Sequence, residues 1–111
     1  MGEKDFDELL VKMYGIEDVA SAFICSRAGA YVMGNPPKLA DRGMYSAITS
    51  LAFGTAEQVG HEMNDDLRYV SLNFSKRRLL VIAIGPRHLM GLLVEDKGDV
   101  EGILEKVRSL L

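Results

Sequence analysis

The 111-residue sequence holds few of the residues from which chemistry is usually built. Its one cysteine, Cys25, excludes an internal disulfide and fits a reducing, cytoplasmic compartment. No apolar run reaches the ~18 residues that a membrane-spanning helix requires. Basic residues are outnumbered, 13 against 16 acidic, for a net charge of -3. A general nucleic-acid binder is normally basic, so that class is set aside. There is no Gly-x-x-x-x-Gly-Lys phosphate loop and no Gly-x-Gly-x-x-Gly turn, so the chain is not itself a recognisable nucleotide binder. His61-Glu62 is followed by Asp65 where a zinc-binding His-Glu-x-x-His helix needs its second histidine, and one Cys with two His cannot make a usual structural zinc site. No catalytic residue, cofactor or metal ligand is therefore expected. The opening Met1–Phe6 is too acidic for a signal peptide, and Phe6 stands where N-myristoylation at Gly2 would need Ser or Thr. Without a secretion signal, the sequon Asn73-Phe74-Ser75 carries no weight.

What remains is the composition of a folded domain: 48% hydrophobic and 26% charged residues. One domain over residues 1–111 is expected, large enough to bury roughly two-thirds of the surface of its unfolded chain without staples. Phe6, Leu9, Leu10 and Met13 recur at helical spacing over Glu3–Tyr14, with Gly15 as a stop. Asp18–Ser26 and Ala30–Gly34 read as two strands joined at Arg27-Ala28-Gly29, where glycine is free to take positive φ. Asn35-Pro36-Pro37 breaks regular structure. A long helix follows, from about Leu39 to Met63, with Asn64 able to end it. Met44, Ile48, Leu51, Thr55, Val59 and Met63 form one apolar face, expected to serve the sheet. Strands are expected at Leu67–Phe74, Leu79–Ile84 and His88–Val94. The middle one, Leu-Leu-Val-Ile-Ala-Ile, is apolar throughout, as befits a strand covered on both faces. Asp99 is a candidate N-cap for a last helix, Val100–Leu111. The fold class is α+β: a five-stranded, mainly antiparallel sheet with helices on both faces.

Two features raise self-association. Between Tyr69 and Ser75 the strand after the crossover helix carries neither charge nor proline, although sheet edges are normally blunted by them. Residues Tyr69, Val70, Ser71, Leu72 and Asn73 could then pair with a second copy about a two-fold axis; a central or loop-covered strand is the alternative. In the long helix, Gly43, Ala47, Ser50 and Gly54 form a stripe of small residues, and Phe53 lies off the apolar face. Two glycines inside a helix cost ~1 kcal/mol each against alanine, a loss that close approach of another backbone would offset. The stripe could equally seat the helix on its own sheet.

The order of elements resembles the Roadblock / dynein light-chain family over Phe6–Leu111. The resemblance rests on Ala22-Phe23-Ile24-Cys25-Ser26-Arg27-Ala28-Gly29-Ala30, similar to the family's strand, Ser-Arg-Asp-Gly, strand opening, with Ala28 in place of Asp. It rests also on the small-residue-rich long helix and on the Leu-Leu-Val-Ile-Ala-Ile strand followed by His88–Val94. It implies a profilin-like or longin-like fold, with the long helix on one face of the sheet and the first and last helices on the other. It further implies a dimer whose Leu67–Phe74 strands join two sheets into one of ten strands. Such dimers are platforms for small Ras-like GTPases, motor complexes or signalling scaffolds, and a relative in bacterial gliding polarity stimulates GTP hydrolysis by its partner.

The leading expectation is thus a cytoplasmic homodimer that binds and regulates a small GTPase, with Arg42, Tyr45, Thr49 and Phe53 exposed on the long helix as candidate contacts. A structural adaptor without effect on nucleotide turnover is the second reading. A small-molecule sensor is the third, and needs an internal cavity. Cys25, within an apolar strand, reads as a buried thiol rather than a nucleophile. Glu62, Asp65 and Asp66 read as a solvated helix end rather than a metal site. Lys76-Arg77-Arg78 reads as a solvated turn, or as an acidic-partner site that Arg87-His88 would extend if the two turns lie close.

Overall fold

The structure, a computed structural model, describes residues 3–111, with side chains from residue 5; the readings made of Met1 and Gly2 fall outside the described residues. The elements are α1 (Glu3–Tyr14), β1 (Val19–Ser26), β2 (Tyr31–Gly34), a 3-10 turn (Leu39–Asp41), α2 (Arg42–Met63), β3 (Val70–Asn73), β4 (Arg77–Ala83), β5 (His88–Glu95) and α3 (Val100–Leu110). The strands form one sheet in the order β2-β1-β5-β4-β3, every neighbouring pair antiparallel. This is the α+β architecture that the hairpin pattern predicts.

Local chemistry explains the joints. The β1–β2 turn closes with Gly29 at φ 94, a conformation open to glycine at little steric cost. Asn64 ends α2 in the left-handed region, its N–H bonded to the carbonyls of Gly60 and His61. Asp99 stands at the N-cap of α3, but its side chain makes no capping hydrogen bond. Among the described residues no helix is long and apolar enough to cross a membrane.

The period-two alternation of the strands divides the core between two faces. Ala22 and Ile24 of β1, Leu80 and Ile82 of β4, and Met90, Leu92 and Val94 of β5 meet Phe6, Leu9, Leu10 and Met13 of α1 and Ile103, Leu104 and Val107 of α3. Phe23 and Cys25, Leu79 and Val81, and Leu89 meet Phe53 of α2 on the other face. The Phe23 ring lies across β5 at Gly91, where a Cβ would come within 2.6 Å of it.

Three expectations need correction. The strand expected over Leu67–Phe74 is only Val70–Asn73. At one end the Phe74 N–H already bonds the Arg77 carbonyl and closes the turn; at the other, the chain is still emerging from the Asn64 cap. The helix expected from Leu39 starts as a 3-10 turn and becomes α-helical at Arg42. Most consequentially, α2 is rotated relative to expectation. Ser46, Thr49, Phe53 and Gly60 face the sheet, and Met44, Ile48, Leu51, Val59 and Met63 face solvent. Small side chains at 46, 49 and 60 let the helix sit close to the strands while one phenylalanine fills the space over Phe23 and Leu89.

Candidate interaction surface

The outward stripe of α2 runs the length of the helix. Leu51 at its centre is 71% exposed, and Met44, Ile48, Val59 and Met63 extend it at helical spacing towards both ends. Scattered exposed apolar residues are ordinary, but five along one side of one helix, interrupted only by exposed Thr55 between Leu51 and Val59, form a patch of the kind that marks a protein contact. The small residues expected to form a single stripe are divided. A Cβ built on Gly43 or Gly54 meets nothing within 4 Å, so both open onto solvent beside the patch. Ala47 and Ser50 instead lie against the β1–β2 turn: a Cβ on Gly29 would stand 3.4 Å from Ala47 Cα and 3.7 Å from Ser50 Cβ. The Ser50 hydroxyl donates to the Arg27 carbonyl.

Of the candidate partner contacts, Thr49 and Phe53 are not exposed. Thr49 is fully buried and Phe53 is 2% exposed, because their side of α2 is the one laid on the sheet. Phe53 is accordingly a core residue and no part of a surface stripe. Arg42 is exposed and stacks 5.8 Å from the Tyr31 ring centre; Tyr45 is half-buried against the same core cluster as Phe53. Arg27 is a residue that sequence reasoning passed over. Its guanidinium donates to both carboxylate oxygens of Glu57, at 2.9 and 3.0 Å, and lies 5.3 Å from the Phe53 ring centre. It ties the β1–β2 turn to the middle of α2. The two residues are thirty apart in sequence, so no local pattern announces the pair.

Beside the α2 stripe lies the edge of the sheet. β3 ends the strand order and pairs with β4 alone. Val70 and Leu72 pack towards α2, while the Tyr69 hydroxyl donates to Glu101 of α3 at 3.3 Å. Ser71 donates to the Asn73 side chain at 2.6 Å, and Asn73 is exposed. All five residues expected on the joining strand thus lie along one open edge, with Tyr69 just before the strand. A cleft of about 440 Å³ opens at the start of β3, lined by Val59 and Met63 of α2 with Leu67 and Tyr69. A second, of about 340 Å³, opens at its end between Pro37, Tyr45 and Phe74.

The other candidates fall away from this surface. Cys25 is buried, and burial pushes its thiol up to about 11, so thiolate is scarce at neutral pH. Glu62, Asp65 and Asp66 are exposed, and no group of three or more His, Cys, Asp or Glu among the described residues is placed to hold a metal. Lys76-Arg77-Arg78 lies at the start of β4 and Arg87 in the turn beyond its other end, roughly 20 Å apart, and the two do not merge. Arg77 and Arg78 lie 3.9 Å from Glu95 and Asp96 respectively, exposed pairs of little energetic weight.

A model of the Roadblock/LC7 domain matches residues 5–94 of the chain. No curated protein sequence matches it. In fold the chain is similar to a Roadblock/LC7 domain from Streptomyces avermitilis, with a TM-score of 0.82 at 17% identity over 94% of this chain and 89% of that one. It is similar to the gliding protein MglB of Thermus thermophilus, with a TM-score of 0.81 at 11% identity over 99% and 87%. Profilin II of Acanthamoeba castellanii is a more distant likeness, with a TM-score of 0.59 at 16% identity over 94% and 88%.

Proposed function

This chain belongs to the Roadblock/LC7 family, and from that premise we propose that it is a homodimeric, non-catalytic platform that binds and regulates a small Ras-like GTPase. One observation carries the reading: the outward apolar stripe of α2 and the open edge at β3 meet at the cleft lined by Val59, Met63, Leu67 and Tyr69, and both are uncovered in the protomer. A two-fold axis beside β3 would pair the strands antiparallel and, by the same operation, lay the two α2 helices antiparallel. Met44 would then meet Met63, and Ile48 meet Val59, of the second copy. The helix stripe gains burial and the strand gains a ladder in one step.

The paired α2 helices would leave a broad helical face on one side of the joined sheet, with Arg42 and Tyr45 on each copy flanking it. Such a face acts on a GTPase without supplying a nucleophile. It binds one arrangement of the switch loops better than another and shifts their population by that difference. The fold likeness to the gliding protein MglB, and the GTPase partners that the family resemblance implies, support this choice.

The test is titration of the chain with a small Ras-like GTPase of the same organism, loaded in turn with GDP and with a non-hydrolysable GTP analogue, followed by single-turnover GTP hydrolysis. The reading expects nucleotide-dependent binding and a changed hydrolysis rate. Binding with unchanged hydrolysis would make the chain a structural adaptor. No binding in either state would remove the GTPase.

A further inference from the structure

We propose that Phe74 of each copy is an anchor that fills the Val59–Met63–Leu67 cleft of the other copy, with the two-fold axis passing through Ser71. This rests on the dimer reading above and specifies its register and its principal contact.

The register follows from the hydrogen-bond alternation of an antiparallel ladder. The Phe74 N–H donates to Arg77 of β4. Val70↔Val81 and Leu72↔Leu79 are opposed in the same ladder, so residues 70, 72 and 74 turn their backbone groups towards β4. Residues 69, 71 and 73 therefore turn theirs outward. If both copies keep α2 on the same side of a continuous sheet, opposed residues share a face, and some residue of β3 must oppose itself. Centring the axis on Ser71 opposes 71 with 71 and 69 with 73, and every outward group along the edge finds a partner. Centring it on Leu72 opposes 71 with 73 but leaves 69 facing 75, which lies in the β3–β4 turn. The Ser71 register closes the longer ladder.

That register also decides where Phe74 goes. Phe74 is 61% exposed, the largest apolar side chain near the edge strand, and lines a cleft with Tyr45 of α2 on the face to which Val70 and Leu72 turn. Centred on Ser71, position 74 falls opposite Arg68 of the second copy. There the cleft of about 440 Å³ stands open between Val59 and Met63 of α2 and the approach to β3. An exposed aromatic knob and an unfilled apolar cleft lie at the two ends of one strand, and the two-fold exchanges those ends. The contact is made twice per dimer.

Dimerisation of the wild type, Phe74→Ala, Ser71→Cys and Leu72→Cys is measured by sedimentation, and the two cysteine variants by oxidation and non-reducing electrophoresis. Because Phe74 is largely exposed, its replacement leaves the fold intact, which far-UV circular dichroism verifies. Phe74→Ala is expected to raise the dimer dissociation constant by on the order of 100-fold or more, two anchors being lost at once. Ser71→Cys is expected to cross-link to itself across the axis, the opposed Cα atoms lying within disulfide reach, and Leu72→Cys is not. A dimeric wild type whose affinity is unchanged in Phe74→Ala, or one cross-linked through Leu72→Cys and not through Ser71→Cys, overturns this assignment and leaves the dimer standing. A monomeric wild type overturns both.

Discussion

Phe53 and Leu51 are two residues apart on one helix and have opposite environments, 2% and 71% exposed. The difference should be plain in stability. Phe53→Ala empties the space over Phe23 and Leu89 and takes away the ring under Arg27, so it should cost about 3–5 kcal/mol in urea unfolding. The Arg27–Glu57 pair is about one-third exposed at each partner, so Glu57→Gln should cost under about 1 kcal/mol. Cys25 offers a pH test. Its pKa is raised from 9.0 to about 11 by burial, so the folded state holds the thiol proton more tightly than the unfolded state. The contribution is fully present below pH 9 and is lost as pH rises towards 11, at about 1.4 kcal/mol per unit. The wild type should therefore lose stability across that window faster than Cys25→Ala, and parallel pH profiles of the two would refute the assignment.

At the scale of the element, α2 separates what was legible in the sequence from what was not. Helical periodicity located the helix, and strand alternation with the turns at Arg27-Ala28-Gly29 and Lys76-Arg77-Arg78 located the hairpins, because those signals depend on neighbours in the chain. The stripe Met44–Met63 was equally visible as a stripe, but periodicity does not say which way a stripe points. The assumption that the most apolar face lies on the sheet fails here, since one Phe53 among small residues suffices for the sheet. Arg27 with Glu57 was invisible for a related reason: their contact is set by tertiary packing alone. The glycines of α2 give a prediction at this scale. With nothing within 4 Å of a Cβ at Gly54, Gly54→Ala should stabilise the isolated protomer by about 1 kcal/mol through helix propensity. The same methyl stands beside the exposed stripe, where two helices would approach closely, and should weaken self-association in sedimentation. A gain in both would show that no backbone comes near Gly54.

The whole molecule has a radius of gyration of 13.1 Å, close to the ~13 Å of a well-packed chain of this length, so its outward apolar row is not a symptom of a loose core. Any burial of that row has to come from outside the protomer. If it comes from a second copy, association and folding are linked by mass action, and thermal stability must depend on protein concentration. A hundredfold rise in concentration adds about 2.7 kcal/mol to each dimer. For a body of two such chains this raises the melting temperature by roughly 5–10 °C. Leu51→Asp places a charge at the centre of the row without touching the core beneath Phe53. The variant should fold, should melt at one temperature whatever its concentration, and should sediment as a single chain. A wild type whose melting temperature is equally indifferent to concentration would mean that α2 and β3 are not joined by a twin. The helical face proposed to meet the GTPase would then never be assembled, since it exists only where two α2 helices lie together.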